Sequence, residues 1–403
     1  MNNKLFSYRF IGIVFGLFLA TVLSKKLTVN EPDNAGEITL FMSGDVMLGR
    51  GIDQILLHPS KPVLYEPYIR NAIEYVKLAE RRNGPIPYPV DCNYIWGDAL
   101  AMLNQKSPDV RMINLETSIT KSDDYWKWKG INYRMSPDNI DCLSAAKIDA
   151  VSLANNHVID WGYSGLTETI ETLDKAHIKH AGAGETRQQA ETPVVMDIKG
   201  KGRVIVFSYG DVTSGVSQSW AATDTSPGVN KLADYSDNAV ATIKAKIKAI
   251  KHPGDIVVMS LHWGGNWGYE IDLAHTSFAH KLIDDADVDV IHGHSSHHVK
   301  GMEVYKNKLI IYGCGDFLND YEGISGKDNF RADLALMYFA GVDPTTGNLL
   351  RLHMTPTQIK HFKINTASTA DTDWLATMLN REGQQFGTRV ELNADSTLSL
   401  HWD

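Results

Sequence analysis

Short apolar runs that stop at a glycine or polar residue alternate along the chain with stretches whose apolar residues recur every three or four positions. The runs Ile38–Ser43, Val110–Ile113, Ala150–Leu153, Arg203–Tyr209 and Asp255–Leu261, and the β-branched stretch from Val288, read as strands. Helices are predicted over Trp96 to about Gln105, after Ser164 as a capping residue, over Ser236–Ile250 and over Leu273–Ala286. The alternation describes an α/β protein. Pro193–Ile198 and Arg203–Tyr209 are expected to form a hairpin through Gly200 and Gly202, and Glu303–Tyr305 pairs with Lys308–Tyr312 in another. From Arg331 onward, strands and one helix complete or cap the framework.

Two stretches interrupt this pattern. Between His58 and Pro89 six prolines surround a helical segment, Tyr68–Leu78, whose Ile69, Ala72, Ile73 and Val76 share one face. Further on, Tyr125, Trp126, Lys127, Trp128 and Lys129 alternate aromatic and basic residues at strand period, a pattern that more often packs a hairpin onto a surface than binds a ligand. Both insertions directly follow strand ends that carry acidic residues, so residues 58–90 and 122–134 are expected to project as flaps on the ligand side of the sheet.

Composition changes this picture little: 43% hydrophobic and 22% charged residues over 403 positions describe an ordinary globular chain. A formal net charge of -9 argues against nucleic acid as a partner, because the overall field repels polyphosphate. The N-terminus adds a destination. Lys4 and Arg9 precede an apolar run, Phe10–Leu23, shorter than the roughly 20 residues a bilayer span needs, and Ser24–Lys26 end it. Residues 1–24 read as a signal peptide or an uncleaved signal anchor and residues 25–37 as a linker; either way the body is exported. Cys92, Cys142 and Cys314 are too few and scattered for a disulfide framework, and three buried thiols are expected, one bridge with one free thiol being the alternative.

The chemistry lies at the strand ends. Separate strands stop at Asp45, at Glu116, at Asn156 with His157, at His262, and at His294 with His297. Taken singly, an Asp after a strand caps a helix, an Asn takes a turn, and a lone His is a satisfied core or surface residue. Taken together they describe one metal site, since loops at the carboxyl ends of neighbouring strands converge. Gly293 before His294 is expected to let the backbone turn there. Carboxylate, amide and imidazole donors without thiolate favour a divalent Mn, Fe or Zn, and a set this large suits one ion or two. Arg50 is a candidate for meeting a substrate carboxylate or phosphate, an ion pair with a helix being the plain alternative.

The stretches GDVMLGR at 44–50, NLETSIT at 114–120, LANNHVIDWG at 153–162, LHWG at 261–264, GHSSHHV at 293–299 and YGCGDF at 312–317 closely resemble the motifs of the CapA-type capsule-synthesis family. That family is associated with poly-gamma-glutamate biosynthesis and related to the calcineurin-like metallophosphoesterases. The resemblance spans residues 38–330, with 331–403 completing or capping that domain, and implies a four-layer α/β/β/α metallophosphoesterase-like sandwich. By motif it implies Asp45, Glu116, Asn156, His262, His294 and His297 as metal ligands, His157 beside the substrate as acid or orienting donor, and Asp160 orienting its neighbours. Met47 stands where the phosphoesterase pattern has a second-position His, and Leu115–Glu116 replaces its Gly-Asp pair. The expected function is an exported, metal-dependent hydrolase or transferase acting on an anionic polymer such as poly-gamma-glutamate. The alternatives are a non-catalytic subunit of a polymer synthesis or export assembly and a metal-dependent phosphodiesterase, and membrane-bound capsule synthesis subunits are expected partners.

Overall fold

The computed structural model describes residues 36–326 and 328–403. The expected signal segment therefore lies outside the described residues, as does all of the linker but its last two. Two sheets face each other. The larger has the order Thr388–Leu392, Leu398–Trp402, Leu349–Ile359, Leu334–Val342, Ile38–Val46, Val110–Leu115, Ala150–Ser152, Lys179–Ala181, with Asp316–Leu318 paired beside Ile38–Val46. In the smaller, six strands run Met302–Tyr305, Lys308–Ile311, Val290–His294, Asp255–His262, Gly202–Gly210, Val194–Ile198.

The period-two alternation of each strand explains the layering. Leu40 and Met42 point into a core shared with Val204, Val206 and Val258 of the other sheet, whereas Phe41 between them joins an outer core with Ile55, Trp96, Leu103 and Leu166. On the smaller sheet Ile205, Phe207, Val257 and Met259 face outward onto Ile243, Ile247, Phe278 and Leu282 of the helices Asp237–Ile250 and Leu273–Ala286. Both sheets thus bury both faces, and the order of layers is α/β/β/α.

The C-terminal strand Leu334–Val342 pairs antiparallel with Ile38–Val46, in register from Ile38↔Val342 to Met42↔Tyr338. Helix Thr369–Gly383 inserts Leu375, Met378 and Leu379 into the core between the sheets. The residues after 331 thereby extend the larger sheet and close one flank of the inter-sheet core.

Several local expectations are corrected. The helix of the first insertion is Ile73–Asn83, displaced toward the C-terminus because Ala72 and Leu64 anchor the preceding turn. The helix expected after Ser164 spans Gly162–Lys175, with Ser164 inside it and its hydroxyl on Ser122. Residues 125–129 form no strand, and Lys129 turns inward. Asp45 lies within its strand, after a register shift between Met42 and Asp45. Gly44 is required at that shift, since a Cβ there would overlap the Gly315 carbonyl oxygen.

Three thiols were expected, but Cys92 and Cys142 are joined by a disulfide across 50 residues, and only Cys314 is free, buried in the inter-sheet core. The bridge ties helix Cys92–Trp96 to helix Asp141–Ala145 on the outer face of the larger sheet. Loop-closure entropy for a span of this length gives about 4 kcal/mol. Cys92→Ser is therefore expected to lower unfolding stability by about 2–4 kcal/mol in oxidising buffer and by nothing in reducing buffer, read by denaturant melts of both proteins.

Candidate functional site

Parallel pairing sets the frame. Asp45 stands opposite Asn114 on one neighbouring strand and Asp316 on the other, while in the facing sheet His262 stands opposite His294. Asp45 is oriented by Asn114, whose Nδ2 donates to its Oδ1 at 2.7 Å, and by the Ser295 amide, which donates to its Oδ2 at 3.2 Å. Ser295 pays for that aim with a backbone in the left-handed region, φ 98°. The turn belongs to Ser295 and not to Gly293, which is extended within its strand. Gly293 is needed there because a Cβ would press on the Ile311 carbonyl and the Trp263 ring nitrogen.

Two groups of buried side chains have donor atoms within 4.8 Å of one another: Asp45, His262 and His294, and Asp45, Glu116, His297 and Asp316. Asp45 belongs to both. Asn156 joins the first group through its Oδ1, 3.2 Å from His262 Nε2.

A chain of hydrogen bonds sets the His294 tautomer. The Ser43 carbonyl can only accept, so His292 Nε2 donates to it at 2.8 Å. Its Nδ1 then accepts from Ser260 Oγ at 3.1 Å, and that hydroxyl in turn accepts from His294 Nε2 at 2.9 Å. His294 is left with a lone pair on Nδ1, which faces His262 Nδ1 at 2.8 Å and an Asp45 oxygen at 3.8 Å. A lone pair aimed at a carboxylate is stable only with a proton or a cation nearby.

The electrostatics make the same demand. Burial, reinforced by Asp316, pushes the Asp45 carboxyl up to about 7, and burial with Asp45 and Asp316 drives Glu116 well above the carboxylate range. Burial also holds His262 and His294 well below ordinary imidazole. His297 goes the other way: burial opposes its charge, but Asp316 at 2.8 Å and then Asp45 outweigh it and raise it. Three buried carboxylates and convergent imidazoles fit a divalent cation. The Asp45 carboxyl, at about 7, titrates around neutral pH and Glu116 is pushed in the same direction, so metal binding is expected to release protons there and to weaken as pH falls below about 7. Isothermal titration with Mn or Zn in buffers of different ionisation enthalpy reads this directly; a binding enthalpy independent of buffer would contradict it.

Beside this centre stands His157. Its Nε2 is 3.8 Å from a Glu116 oxygen. Its Nδ1 is 2.6 Å from Asp160 Oδ2 and 2.8 Å from Lys129 Nζ, and Lys129 Nζ is itself 2.6 Å from Asp160 Oδ1. Tyr133 stacks on the ring at 4.0 Å, and its amide donates to Asp160. Burial pushes His157 down to about 4 and lowers Lys129. The backbone is held by Asn155, which accepts from the His157 amide and reaches Asn114 with its own amide group. One network thus connects Asp45, Asn114, Asn155 and His157.

Asp45, Glu116, Asn156, His262, His294 and His297 are brought together, with His157 and Asp160 adjacent. Arg50 is not presented to a ligand. It is buried, pairs with Asp320 at 2.5 Å and Glu66 at 3.0 Å, and lies on the Tyr75 ring at 3.6 Å, so its charge is spent inside the wall. Sequence reasoning missed Asp316, although it stands in YGCGDF shortly after the apolar strand Lys308–Ile311, and its own strand, Asp316–Leu318, sets it opposite Asp45. It also missed Lys129, which arrives from the insertion with Trp126, whose amide donates to the Asp160 carbonyl. The two insertions meet at the Tyr65–Tyr125 stack, 3.5 Å between centroids, and Tyr65 packs on Trp161 near Asp160. Met47 is a buried core residue.

The family model described as bacterial capsule synthesis protein PGA_cap matches residues 39–321. A probable polyglutamine synthesis accessory protein of Mycobacterium tuberculosis is 46% identical over 368 residues, 91% of this chain and 97% of that protein. The capsule biosynthesis protein CapA of Bacillus anthracis is 25% identical over 293 residues, 73% of this chain and 62% of its own length. A solved structure of a novel phosphatase from Mycoplasma pneumoniae aligns with a TM-score of 0.44 at 11% identity, covering 79% of this chain and 93% of that one.

Proposed function

The chain belongs to the bacterial capsule synthesis protein family PGA_cap, and from that premise we propose that it is an exported, metal-dependent accessory enzyme of capsule or poly-gamma-glutamate synthesis. It acts as a hydrolase or transferase on an anionic polymer. The observation that carries this reading is the pair of donor groups sharing Asp45, with His157 beside Glu116. Asp45, Glu116, Asn156, His262, His294, His297 and Asp316 would hold a divalent Mn, Fe or Zn, which would supply Lewis-acid polarisation of a substrate oxygen and a more acidic water.

The protein's own groups do the rest. Lys129 and Asp160 both reach the same nitrogen of His157. With Nδ1–H donating to Asp160, Nε2 carries a lone pair and is a base; once the Nδ1 proton has passed to Asp160 Oδ2, 2.6 Å away, Lys129 donates to Nδ1 and Nε2–H is an acid. The ring can therefore take and return a proton at Nε2 without moving, as hydrolysis and transfer both require. Tyr133 and the 122–134 segment shield it from water.

Export is supported by the charge and apolar order of residues 1–24 and by the Cys92–Cys142 bridge, which suits an oxidising compartment. No helix among the described residues is long and apolar enough to cross a membrane. Residues 1–24 fused to a reporter active only outside the membrane are expected to give signal.

The test of activity is incubation of the metal-loaded protein with a γ-linked glutamate oligomer and, separately, bis(p-nitrophenyl) phosphate. Shortened or exchanged oligomer is the expected product. Phosphodiester cleavage alone would replace this reading with a phosphodiesterase, and elemental analysis below about a tenth of an equivalent of metal after reconstitution would end it.

A further inference from the structure

A cavity of about 400 Å³ lies between the C-terminal end of helix Ile73–Asn83, the loop after Asp316–Leu318, and the turn before Ile364–Thr366. One side chain separates it from the metal-binding donors. Asn319, on its wall, donates to Asp316 Oδ2 at 2.7 Å. Tyr321 meets His297 edge-on at 5.4 Å, and Trp267 packs on the same ring at 5.5 Å.

The charges lining it divide into those already used and those left over. Arg331 is closed off by Asp333 and Asp371, at 2.8 and 2.6 Å. Glu322 accepts from Asn83 Nδ2 and from the His361 and Phe362 amides, so its charge is consumed within the wall. Among the described residues, Arg82 and Lys360 are exposed with no acidic partner, and Asp328 is exposed with no basic one. Among the described residues, two exposed cations and one exposed carboxylate, with aromatic walls, describe a pocket for a group bearing more negative than positive charge.

We propose that this cavity is a subsite for a carboxylate-bearing residue of the polymer, next to the bond that reacts at the metal centre. Arg82 and Lys360 meet carboxylates, Asp328 meets an amide or amine of the chain, and Tyr321 covers the path to His297. This inference rests on the proposed function for the identity of the polymer, while the site itself stands on the cavity and its unpaired charges. A subsite of this kind fixes the register of a repetitive chain, so that cleavage or transfer falls at a defined distance from the bound unit.

The test uses the full chain, metal-loaded, and a fluorescein-labelled hexaglutamate, with hexaglutamine as the neutral control, read by anisotropy at low and moderate salt. Hexaglutamate is expected to bind, hexaglutamine to bind at least about tenfold more weakly, and affinity to fall with salt. R82E/K360E, both exposed and therefore tolerated by the fold, is expected to weaken hexaglutamate about tenfold while metal content and melting temperature stay unchanged. No binding by the parent protein, or equal binding by the double variant, overturns the subsite. Charge-dependent binding together with an inert His157 would leave the subsite standing and remove the enzymatic reading, so the two failures are distinguishable.

Discussion

His157→Ala is expected to lower polymer output about 10²- to 10⁴-fold, the range for a lost general acid or base, in cells lacking the parental copy. Metal content should stay within error of the parent, because the His157 ring is in neither donor group. The fold should hold as well: the backbone amide that Asn155 accepts from is untouched, and Lys129 keeps its pairing with Asp160. Lys129→Met tests the same network from the other side. It removes the donor that allows Nε2 to carry the proton, and is expected to cut output by about tenfold or more and to shift the pH profile, whereas a purely structural role would change amount and not pH dependence. Full output from His157→Ala with metal retained would leave a non-catalytic subunit as the surviving description. Asp316 bears on that choice: it brings a carboxylate into one donor group with Asp45, Glu116 and His297, while Met47 is packed in the core.

Asp45→Asn is expected to have the largest effect on metal, because Asp45 alone belongs to both donor groups. Metal should fall from about two equivalents to below about a tenth, while Asp316→Ala should lose only one, leaving Asp45, His262 and His294 intact. Inductively coupled plasma mass spectrometry on proteins purified without chelator reads both. Equal loss from the two variants would mean a single shared site.

A stability measurement accompanies it, and its sign follows from the Asp45 carboxyl, pushed up by burial to about 7. A group raised in the folded state contributes stability below its unfolded value, near 3.8, and that contribution is lost as pH rises through 7. In chelator at pH 8 the parent therefore carries a buried carboxylate with no metal to offset its charge, and Asp45→Asn should melt at a higher temperature than the parent. With metal present the order should reverse, since only the parent gains the binding energy. A variant that melts lower in both conditions would indicate that Asp45 is needed for packing.

The alternation of apolar residues was enough to recognise the strands and most helices, and the coincidence of polar ligands at strand ends was enough to collect the six ligand candidates. Both properties are local: a strand's period decides which side chains share a face, and the residue ending it is read from the same few positions. The motifs carried the architecture further than periodicity could, since four layers require knowing which two faces of each sheet are covered.

Only the tertiary structure decided how those ends combine. That Asp45 is shared depends on a register shift beside Asn114 and on Asp316 being placed alongside it by a strand some 270 residues later in the chain. The same kind of distance separates Arg50 from Asp320, and this pairing turned a candidate substrate contact into a buried structural ion pair. Lys129 was read as part of a surface pattern because alternation says which residues align, but not whether Asp160 and His157 wait on the other side. The Cys92–Cys142 bridge follows from two helices packing on one sheet, not from any spacing. Local pattern is set by backbone geometry repeating over a few residues, whereas charge pairing, ligand sharing and cysteine pairing are set by which distant segments pack together, and that is resolved only when the whole core closes.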